Sequence, residues 1–117
     1  MNRRINTRVV APNGVAAATL IDKDASEVYW LTVAPNVFLT PGVVQIYDGF
    51  DAGGILKWEV QPGQSRHYNF IPPIHCEQGV FVYSDGDVGV YTIAWRPKKW
   101  DRPKPHPQDV ITPPKEE

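Results

Sequence analysis

The chain has 117 residues, 42% of them hydrophobic, and a formal net charge of −1. This length suits a single domain with its own core, and 12 prolines disfavour a helical fold, since each removes a backbone donor and clashes with the preceding turn. The one cysteine, Cys76, excludes an intramolecular disulfide, which suits the reducing cytoplasm. No stretch is apolar for long enough to span a membrane or to form a secretion signal, so we expect a soluble protein without a signal peptide.

The charges are distributed unevenly along the chain. Residues 1–8 contain three arginines and no acid, whereas residues 9–95 contain three basic and nine acidic residues, a net charge of −6. Residues 96–104 contain five basic residues and one acid, a net charge of +4. Two basic ends around an acidic middle predict that an arm docks on an acidic surface of its own or a neighbouring subunit, the alternative being termini that are simply solvated. The basic residues of the two ends are Arg3, Arg4, Arg8, Arg96, Lys98, Lys99, Arg102 and Lys104.

The first third of the chain predicts short strands separated by turns. Residues 8–10 are a candidate edge strand before the turn at 12–14, so residues 1–11 are predicted to form a basic arm or an edge strand. Strands are predicted next at 15–21 and 28–34, and the second of these is rich in aromatic and β-branched residues.

The stretch 43–60, VVQIYDGFDAGGILKWEV, predicts two strands joined by a glycine-containing loop. On the first strand Val44 and Ile46 share one face, while Gln45 and Tyr47 share the other. Such period-two alternation is typical of a half-buried antiparallel strand. On the second strand, the residues predicted to face the core are Leu56, Trp58 and Val60.

The second half of the chain predicts three more strands. Residues 66–71 alternate in polarity, and the two prolines that follow are expected to end this strand, with residues 74–78 forming a loop across one end of the domain. Residues 79–84 and 88–95 are predicted to form a last hairpin around an Asp-Gly-Asp turn.

These elements predict an all-β fold. Seven to eight short strands with turns at regular spacing indicate a single antiparallel β-sandwich, of jelly-roll or immunoglobulin-like type, over residues 12–95. Extended N- and C-terminal arms are predicted on either side of it.

The C-terminal segment differs in composition from the rest of the chain. Residues 96–117 contain six of the 12 prolines and no glycine, which favours extended polyproline II geometry. At ~3.1 Å per residue such an arm reaches roughly 65 Å, far enough to contact a neighbouring subunit. Trp100 is expected to anchor the arm in a partner or, alternatively, to fold back on the sandwich. The residues predicted to bind a partner are Arg3, Arg4, Arg8, Arg96, Lys98, Lys99, Trp100, Arg102 and Lys104.

No residue pattern predicts catalysis, a cofactor or a metal site. Cys76 follows His75, but neighbouring strand residues point to opposite faces, so a buried structural thiol is favoured over a cysteine–histidine nucleophile. Four aspartates lie in glycine-containing turns without EF-hand spacing, and tight turns are favoured over calcium sites. These aspartates are Asp48, Asp51, Asp85 and Asp87.

Two kinds of ligand suit particular side chains. The basic ends fit phosphate groups, but the acidic body and a pI of about 6.3 argue against sequence-specific nucleic-acid binding. Tyr47, Trp30 and Trp58 are a candidate aromatic platform for sugars, although the alternation places Trp58 toward the core. A glycan-binding module is therefore one alternative function.

Two runs of the chain carry a resemblance to a known class of protein. They are 40–60, TPGVVQIYDGFDAGGILKWEV, and 62–95, PGQSRHYNFIPPIHCEQGVFVYSDGDVGVYTIAW. The "IYDG" strand end with its small-residue loop and "LKW", the "IPPIHCEQGVFV" crossover and the final "VYTIAW" strand resemble small β-sandwich virion proteins of tailed bacteriophages. The resemblance covers about half of the chain.

This resemblance implies a non-enzymatic structural protein of the virion, made in the host cytoplasm. A capsid decoration or cement protein is the favoured role, because such proteins clamp neighbouring capsomers with extended arms. The implied partners are the major capsid protein or other virion subunits and further copies of the chain in a homo-oligomer. A neck, tail or head-fibre component is the alternative within this class. No cofactor, catalytic residue or membrane is implied.

Overall fold

The structure, a computed structural model, describes residues 5–98. Within this range the chain forms eight β-strands and no α-helix, so the all-β prediction is confirmed. The strands are β1 Asn6–Val10, β2 Ala17–Asp22, β3 Ser26–Pro35, β4 Val44–Asp48, β5 Ile55–Val60, β6 Arg66–Cys76, β7 Val80–Ser84 and β8 Val88–Pro97.

The strands form two four-stranded antiparallel sheets. Sheet I has the order β1-β8-β3-β6, and sheet II has the order β2-β7-β4-β5. The first strand pairs with the last, the second with the seventh, the third with the sixth and the fourth with the fifth. The described chain is therefore one long antiparallel hairpin rolled into two layers, which is a jelly roll and not the immunoglobulin-like alternative.

The core lies between the two sheets. Both layers contribute alternate residues of their strands, as expected when one face of each sheet is buried and the other is solvated. The buried hydrophobic residues of the core are Ile21, Val28, Leu31, Val33, Val44, Ile46, Cys76, Val80, Val82, Val88, Tyr91, Ile93 and Trp95.

The hairpin of β4 and β5 is the tip of the rolled chain and was predicted from the sequence. Its pairing runs from Val44 opposite Val60 to Asp48 opposite Ile55. Val44 and Ile46 share one buried face, as the alternation indicates.

A β-bulge in this hairpin changes the face of one predicted core residue. Ile46 lies opposite Trp58, but Tyr47 lies opposite Leu56, so Lys57 has no partner on β4. The extra residue reverses the alternation, because side-chain direction has a period of two. Trp58 packs between the sheets as predicted, whereas Leu56 lies on the outer face of sheet II, and its prediction as a core residue is wrong.

Strand β6 continues through the two prolines that were expected to end it. Its register against β3 moves from Trp30 opposite Asn69 to Val28 opposite Ile74, so residues 70–73 form an irregular segment. β6 is an edge strand of sheet I, so only one of its sides pairs with another strand. A proline lacks the N–H group that pairing needs, and an edge strand tolerates this loss because its other side has no partner. The predicted loop at residues 74–78 therefore begins only after Cys76.

The predicted last hairpin does not form. β7 pairs with β2 and β4 in sheet II, whereas β8 pairs with β1 and β3 in sheet I. The Asp-Gly-Asp turn between them thus crosses from one layer to the other. Asp85, the first residue of this turn, stabilises it, because the N–H of Asp87 donates to Asp85 Oδ1 at 3.0 Å.

The sandwich is longer than the predicted range 12–95. β1 is the edge strand of sheet I, which is the second of the two alternatives given for residues 1–11. At the other end β8 reaches Pro97 and includes Arg96. Six of the predicted partner-binding residues lie outside the described residues. They are Arg3, Arg4, Lys99, Trp100, Arg102 and Lys104.

A buried carboxylate ties the tip of the hairpin to the turn between β6 and β7. Asp48 is only 4% exposed. Its two oxygens accept backbone N–H groups from Glu77 at 2.9 Å, Gln78 at 2.8 Å and Gly79 at 3.5 Å. These bonds join segments about thirty residues apart in sequence, so this side chain holds a long-range connection within sheet II.

The surroundings of Asp48 act on its pKa in opposite directions. Burial raises the pKa by disfavouring the charged form, but the backbone N–H groups of Gln78, Glu77 and Gly79 and the charge of Lys57 lower it by more. The net effect is a pKa below the ordinary value for aspartate, so the carboxylate is ionised at neutral pH.

We expect Asp48→Asn to lower the free energy of unfolding by roughly 2 kcal/mol, because an amide cannot accept from all three N–H groups. Urea unfolding followed by tryptophan fluorescence measures this change. Asp51→Asn is the matched control in the same loop. Asp51 is exposed and accepts only the N–H of Gly53, a turn that asparagine also makes, so its effect should stay within about 0.5 kcal/mol. Equal losses in both variants would contradict the role of Asp48.

Stability should also depend on pH through Asp48. Because its pKa is lower in the folded chain, its contribution is present above the unfolded-state pKa of about 3.9 and is lost as the pH falls through the folded-state pKa. Unfolding free energies measured from pH 7 to pH 3 should therefore fall more steeply for the native sequence than for Asp48→Asn. Parallel curves would show that other carboxyl groups account for the acid sensitivity.

Candidate partner-binding surface

Both ends of the described chain lie at the same end of the sandwich. Asn6 of β1 lies opposite Trp95 of β8, and the N–H of Lys98 donates to the carbonyl of Ala25 at 2.9 Å. We call this the arm end and define it as loops 22–25, 49–54 and 77–79 together with Asp48 and Lys98. The N-terminal and C-terminal segments therefore begin next to each other.

The arm end is held together by hydrogen bonds between its loops. Asp22 accepts the indole N–H of Trp95 at 2.8 Å on one oxygen and the backbone N–H of Asp24 at 2.8 Å on the other. The N–H of Gly49 donates to the carbonyl of Gly79 at 3.1 Å. These contacts join loop 49–54 to loop 77–79 and tie loop 22–25 to β8.

Acidic residues outnumber basic ones at the arm end. The acids are Asp22, Asp24, Asp48, Asp51 and Glu77, and the bases are Lys23 and Lys98. Lys98 already pairs with one of them, since its Nζ lies 3.0 Å from Glu77 Oε2. The last described basic side chain thus contacts an acidic residue of the arm end, whereas docking of an arm stays a prediction.

Two other predicted partner-binding residues lie within the sandwich. Arg96 donates through its guanidinium to the hydroxyl of Tyr29 at 3.0 Å, so it belongs to the surface of sheet I and not to a free arm. Arg8 lies in β1, opposite Ile93, and is exposed. Of the nine predicted residues, Arg8, Arg96 and Lys98 are described, and only Lys98 lies at the arm end.

An apolar row crosses all four strands on the outer face of sheet II. Leu20 of β2 lies opposite Phe81 of β7, which lies opposite Tyr47 of β4, which lies opposite Leu56 of β5. The rings of Tyr47 and Phe81 meet edge to face with centroids 6.0 Å apart. Leu20 and Leu56, at the two ends of the row, are 41% and 46% exposed.

Polar contacts hold one side of this apolar row in place. The hydroxyl of Tyr47 donates to Gln45 Oε1 at 2.8 Å, and Gln45 Nε2 donates to Glu59 Oε1 at 3.2 Å. Phe50 and Ile55, near the arm end, are further exposed apolar residues, at 54% and 63%. Apolar surface that is contiguous and bordered by polar groups is typical of a protein–protein contact.

Sequence reasoning did not find the apolar row. Leu56 was assigned to the core because the bulge is not visible as a break in the alternation. Leu20 and Phe81 carry a weak signal, since each is the outward residue of its strand, but the sequence does not show that β2 and β7 are neighbours.

The three aromatic residues considered as a sugar platform lie on different surfaces. Tyr47 is on the outer face of sheet II, and Trp30 is on the outer face of sheet I, beside His67 with ring centroids 5.4 Å apart. Trp58 lies between the sheets, edge to face with the rings of Tyr68 and Phe70. The core interpretation of Trp58 is therefore supported, and the three rings do not form one platform.

Cys76 and His75 point in opposite directions. The thiol is fully buried, whereas His75 Nε2 lies 3.3 Å from Glu27 Oε2 on the outer face. Burial, together with the negative charge of Asp48, raises the pKa of Cys76 to about 12. The thiol is therefore protonated at neutral pH and is a packing residue, as the sequence predicts.

The aspartates in glycine-containing turns hold backbone groups. Asp51 Oδ1 accepts the N–H of Gly53 at 2.8 Å, and Asp85 accepts the N–H of Asp87 in its own turn. Asp48 accepts N–H groups of the distant turn between β6 and β7. Among residues 5–98, no three acidic, histidine or cysteine side chains lie close enough together to hold a metal ion. Nor does this part of the chain contain a helix that could cross a membrane.

No family model matches this sequence, and no curated protein or solved structure is significantly similar to it.

The buried thiol gives a direct test of packing around Cys76. At pH 8 the native chain should react with a disulfide reagent at least about a thousandfold more slowly than the urea-unfolded chain, because the thiolate fraction is reduced by the raised pKa. Cys76 is the only cysteine, so the signal comes from one site. A native rate close to that of the unfolded chain would contradict the burial of this thiol.

Proposed function

We propose that the protein is a non-enzymatic structural protein of a bacteriophage virion, a capsid decoration or cement protein that binds the shell and its neighbours through its terminal arms. The observation that carries this proposal is that the described chain begins, in β1, and ends, at Lys98, at the arm end, next to acidic loops. The partners are the major capsid protein or other virion subunits and further copies of the chain.

Because the described chain begins and ends at the same end of the sandwich, attachment through the two arms is favoured over two solvated tails. Two segments that start at one end of a rigid body can grip the same partner surface, and each contact raises the effective concentration of the other. The ion pair between Lys98 and Glu77 shows how a basic arm residue contacts an acidic loop of this fold. The same contact between neighbouring copies would join subunits in a repeating layer.

The apolar row supplies a second contact surface on the body. Leu20 and Leu56 are each almost half exposed, and they flank the ring pair of Tyr47 and Phe81. A monomer gains little from leaving this surface in water, whereas a neighbouring subunit would bury it. The arms thus provide attachment, and the row provides a place for subunits to pack in a homo-oligomer.

The fold agrees with this role by analogy. Jelly rolls occur in viral capsid proteins and in lectins, two settings in which a rigid two-layer body presents loops and faces to a partner. A fold alone does not define a function, so the support comes from the position of the arms and the exposed surfaces.

A neck, tail or head-fibre component remains the second candidate within the virion. The same paired arms would suit attachment to a ring of subunits. The two roles differ in copy number, which is high for a shell protein and low for a ring. Quantitative mass spectrometry of purified particles, with the major capsid protein as the internal reference, separates them.

The arm hypothesis predicts the effect of a truncation. Deleting residues 99–117 removes no described residue, so the sandwich should keep its unfolding temperature while its occupancy on shells falls at least tenfold. Binding is measured by co-sedimentation with shells that lack the protein. The matched control deletes only residues 105–117, which leaves the basic segment 99–104 in place and should retain most of the occupancy. Wild-type occupancy of the longer truncation would exclude attachment through this arm.

A further inference from the structure

The outer face of sheet I carries two cross-strand rows of uncharged side chains. In one row Thr7 of β1, Ala94 of β8, Trp30 of β3 and Asn69 of β6 lie opposite one another. The second row contains Val9, Thr92, Thr32 and His67. We call these eight side chains the neutral face.

The absence of fixed charges on the neutral face is unusual for this chain. Charged residues make up 21% of the sequence, and the solvated face of an antiparallel sheet is where they normally lie. None of the eight side chains is a lysine, arginine, aspartate or glutamate. The charged residues of this sheet face lie apart from these eight, in the row of Glu27, His75 and Arg96. A half-buried tryptophan among uncharged neighbours indicates a surface suited to contact and not only to solvation.

Three polar side chains of the neutral face form a fixed chain of hydrogen bonds. His67 Nδ1 lies 2.7 Å from Thr32 Oγ1, and His67 Nε2 lies 3.0 Å from Asn69 Oδ1. Since the amide oxygen of Asn69 can only accept, Nε2 carries the proton and Nδ1 accepts from the hydroxyl of Thr32. The imidazole is thus held in one tautomer and fixes the side chains on both sides of it.

This arrangement leaves groups available to a ligand. With its oxygen bonded to His67, Asn69 presents its NH₂ group as a donor, and the hydroxyl oxygen of Thr32 keeps a lone pair as an acceptor. Both lie next to the indole of Trp30, whose ring is tilted by 40° from that of His67. Across the strands, the partner of Trp30 is Ala94, whose side chain is fully buried.

An aromatic ring beside oriented donors and acceptors matches the chemistry of a sugar. One side of a pyranose ring presents C–H groups that pack on an aromatic face, and its hydroxyls need donors and acceptors at fixed positions. The lack of charge favours an uncharged sugar over an acidic or basic ligand, and the polar chain disfavours a purely apolar one. The site is open and single-ringed, so the affinity for one sugar should be low.

We propose that the neutral face binds a neutral saccharide, with Trp30 packing on one sugar ring and with Asn69 and Thr32, positioned by His67, hydrogen-bonding its hydroxyls. This site is separate from the arm end and does not depend on the virion role.

The test uses the full chain labelled with ¹⁵N and titrated with neutral saccharides. The panel contains glucose, galactose, mannose and N-acetylglucosamine and their short oligomers, each up to 50 mM. At least one should give saturable shifts of the Trp30 indole N–H and the Asn69 side-chain amide, with a Kd on the order of 1 mM. The shifts should be confined to the neutral face.

Variants separate the roles of these residues. Trp30→Ala should weaken binding at least tenfold, and Trp30→Phe should recover part of it because a smaller ring remains. His67→Ala should weaken binding although it leaves Trp30, Asn69 and Thr32 in place, since it frees the two polar side chains. Phe38→Ala is the matched control, because Phe38 is an exposed aromatic residue outside the neutral face.

Several outcomes would overturn the proposal. These are a panel without saturable shifts, shifts that map to another surface, and unchanged binding by Trp30→Ala. Shifts of the neutral face that depend on protein concentration without sugar would show that a second copy covers it, and they would overturn the proposal as well. A peptide of residues 102–114, from the C-terminal segment, is titrated in the same way. If it binds the neutral face while no saccharide does, the proposal is overturned.

Discussion

The chain pairs with itself outward from the hairpin of β4 and β5, and this nested pairing determines where every other strand lies. The hairpin closes locally, and β3 with β6, β2 with β7 and β1 with β8 then pair across progressively longer loops. Each longer loop costs more closure entropy, so each pair depends on the register of the one inside it. The buried carboxylate of Asp48 strengthens this dependence, because it connects the tip of the hairpin with the turn that leads into β7.

The same pairing explains how the surfaces of the protein are arranged. Because the first and last strands are antiparallel partners, both ends of the described chain lie at the arm end and not on the outer face of either sheet. The two outer faces are then free to differ. Sheet II presents the apolar row, which suits packing against protein, and sheet I presents the neutral face, which suits hydroxyl-bearing ligands. The surfaces proposed for attachment, subunit packing and ligand contact are therefore three separate parts of the sandwich.

The sequence was sufficient for features that depend on local patterns. Alternation in 43–60 predicted the central hairpin, and the position of Cys76 beside an outward His75 predicted a buried thiol. Features that depend on distant partners were not predictable in this way. β7 and β8 look like a hairpin because a tight turn joins them, but each pairs with strands far away in sequence. Strand β6 passes through two prolines because it lies at a sheet edge, and that position follows from topology and not from composition.

The apolar row depends on one additional residue. Without the bulge at Lys57, a regular β5 would place Leu56 in the core and direct the lysine to the outer face, opposite Tyr47. The inserted residue moves Leu56 to the outer face while Lys57 also stays exposed, so that a leucine completes the row on the edge strand and Trp58 keeps its place between the sheets. A bulge costs ladder hydrogen bonds and is retained where it redirects a side chain. The redirected side chain is a large apolar one on an edge strand of sheet II, and this placement is the structural argument for the proposal that a neighbouring subunit packs on this face.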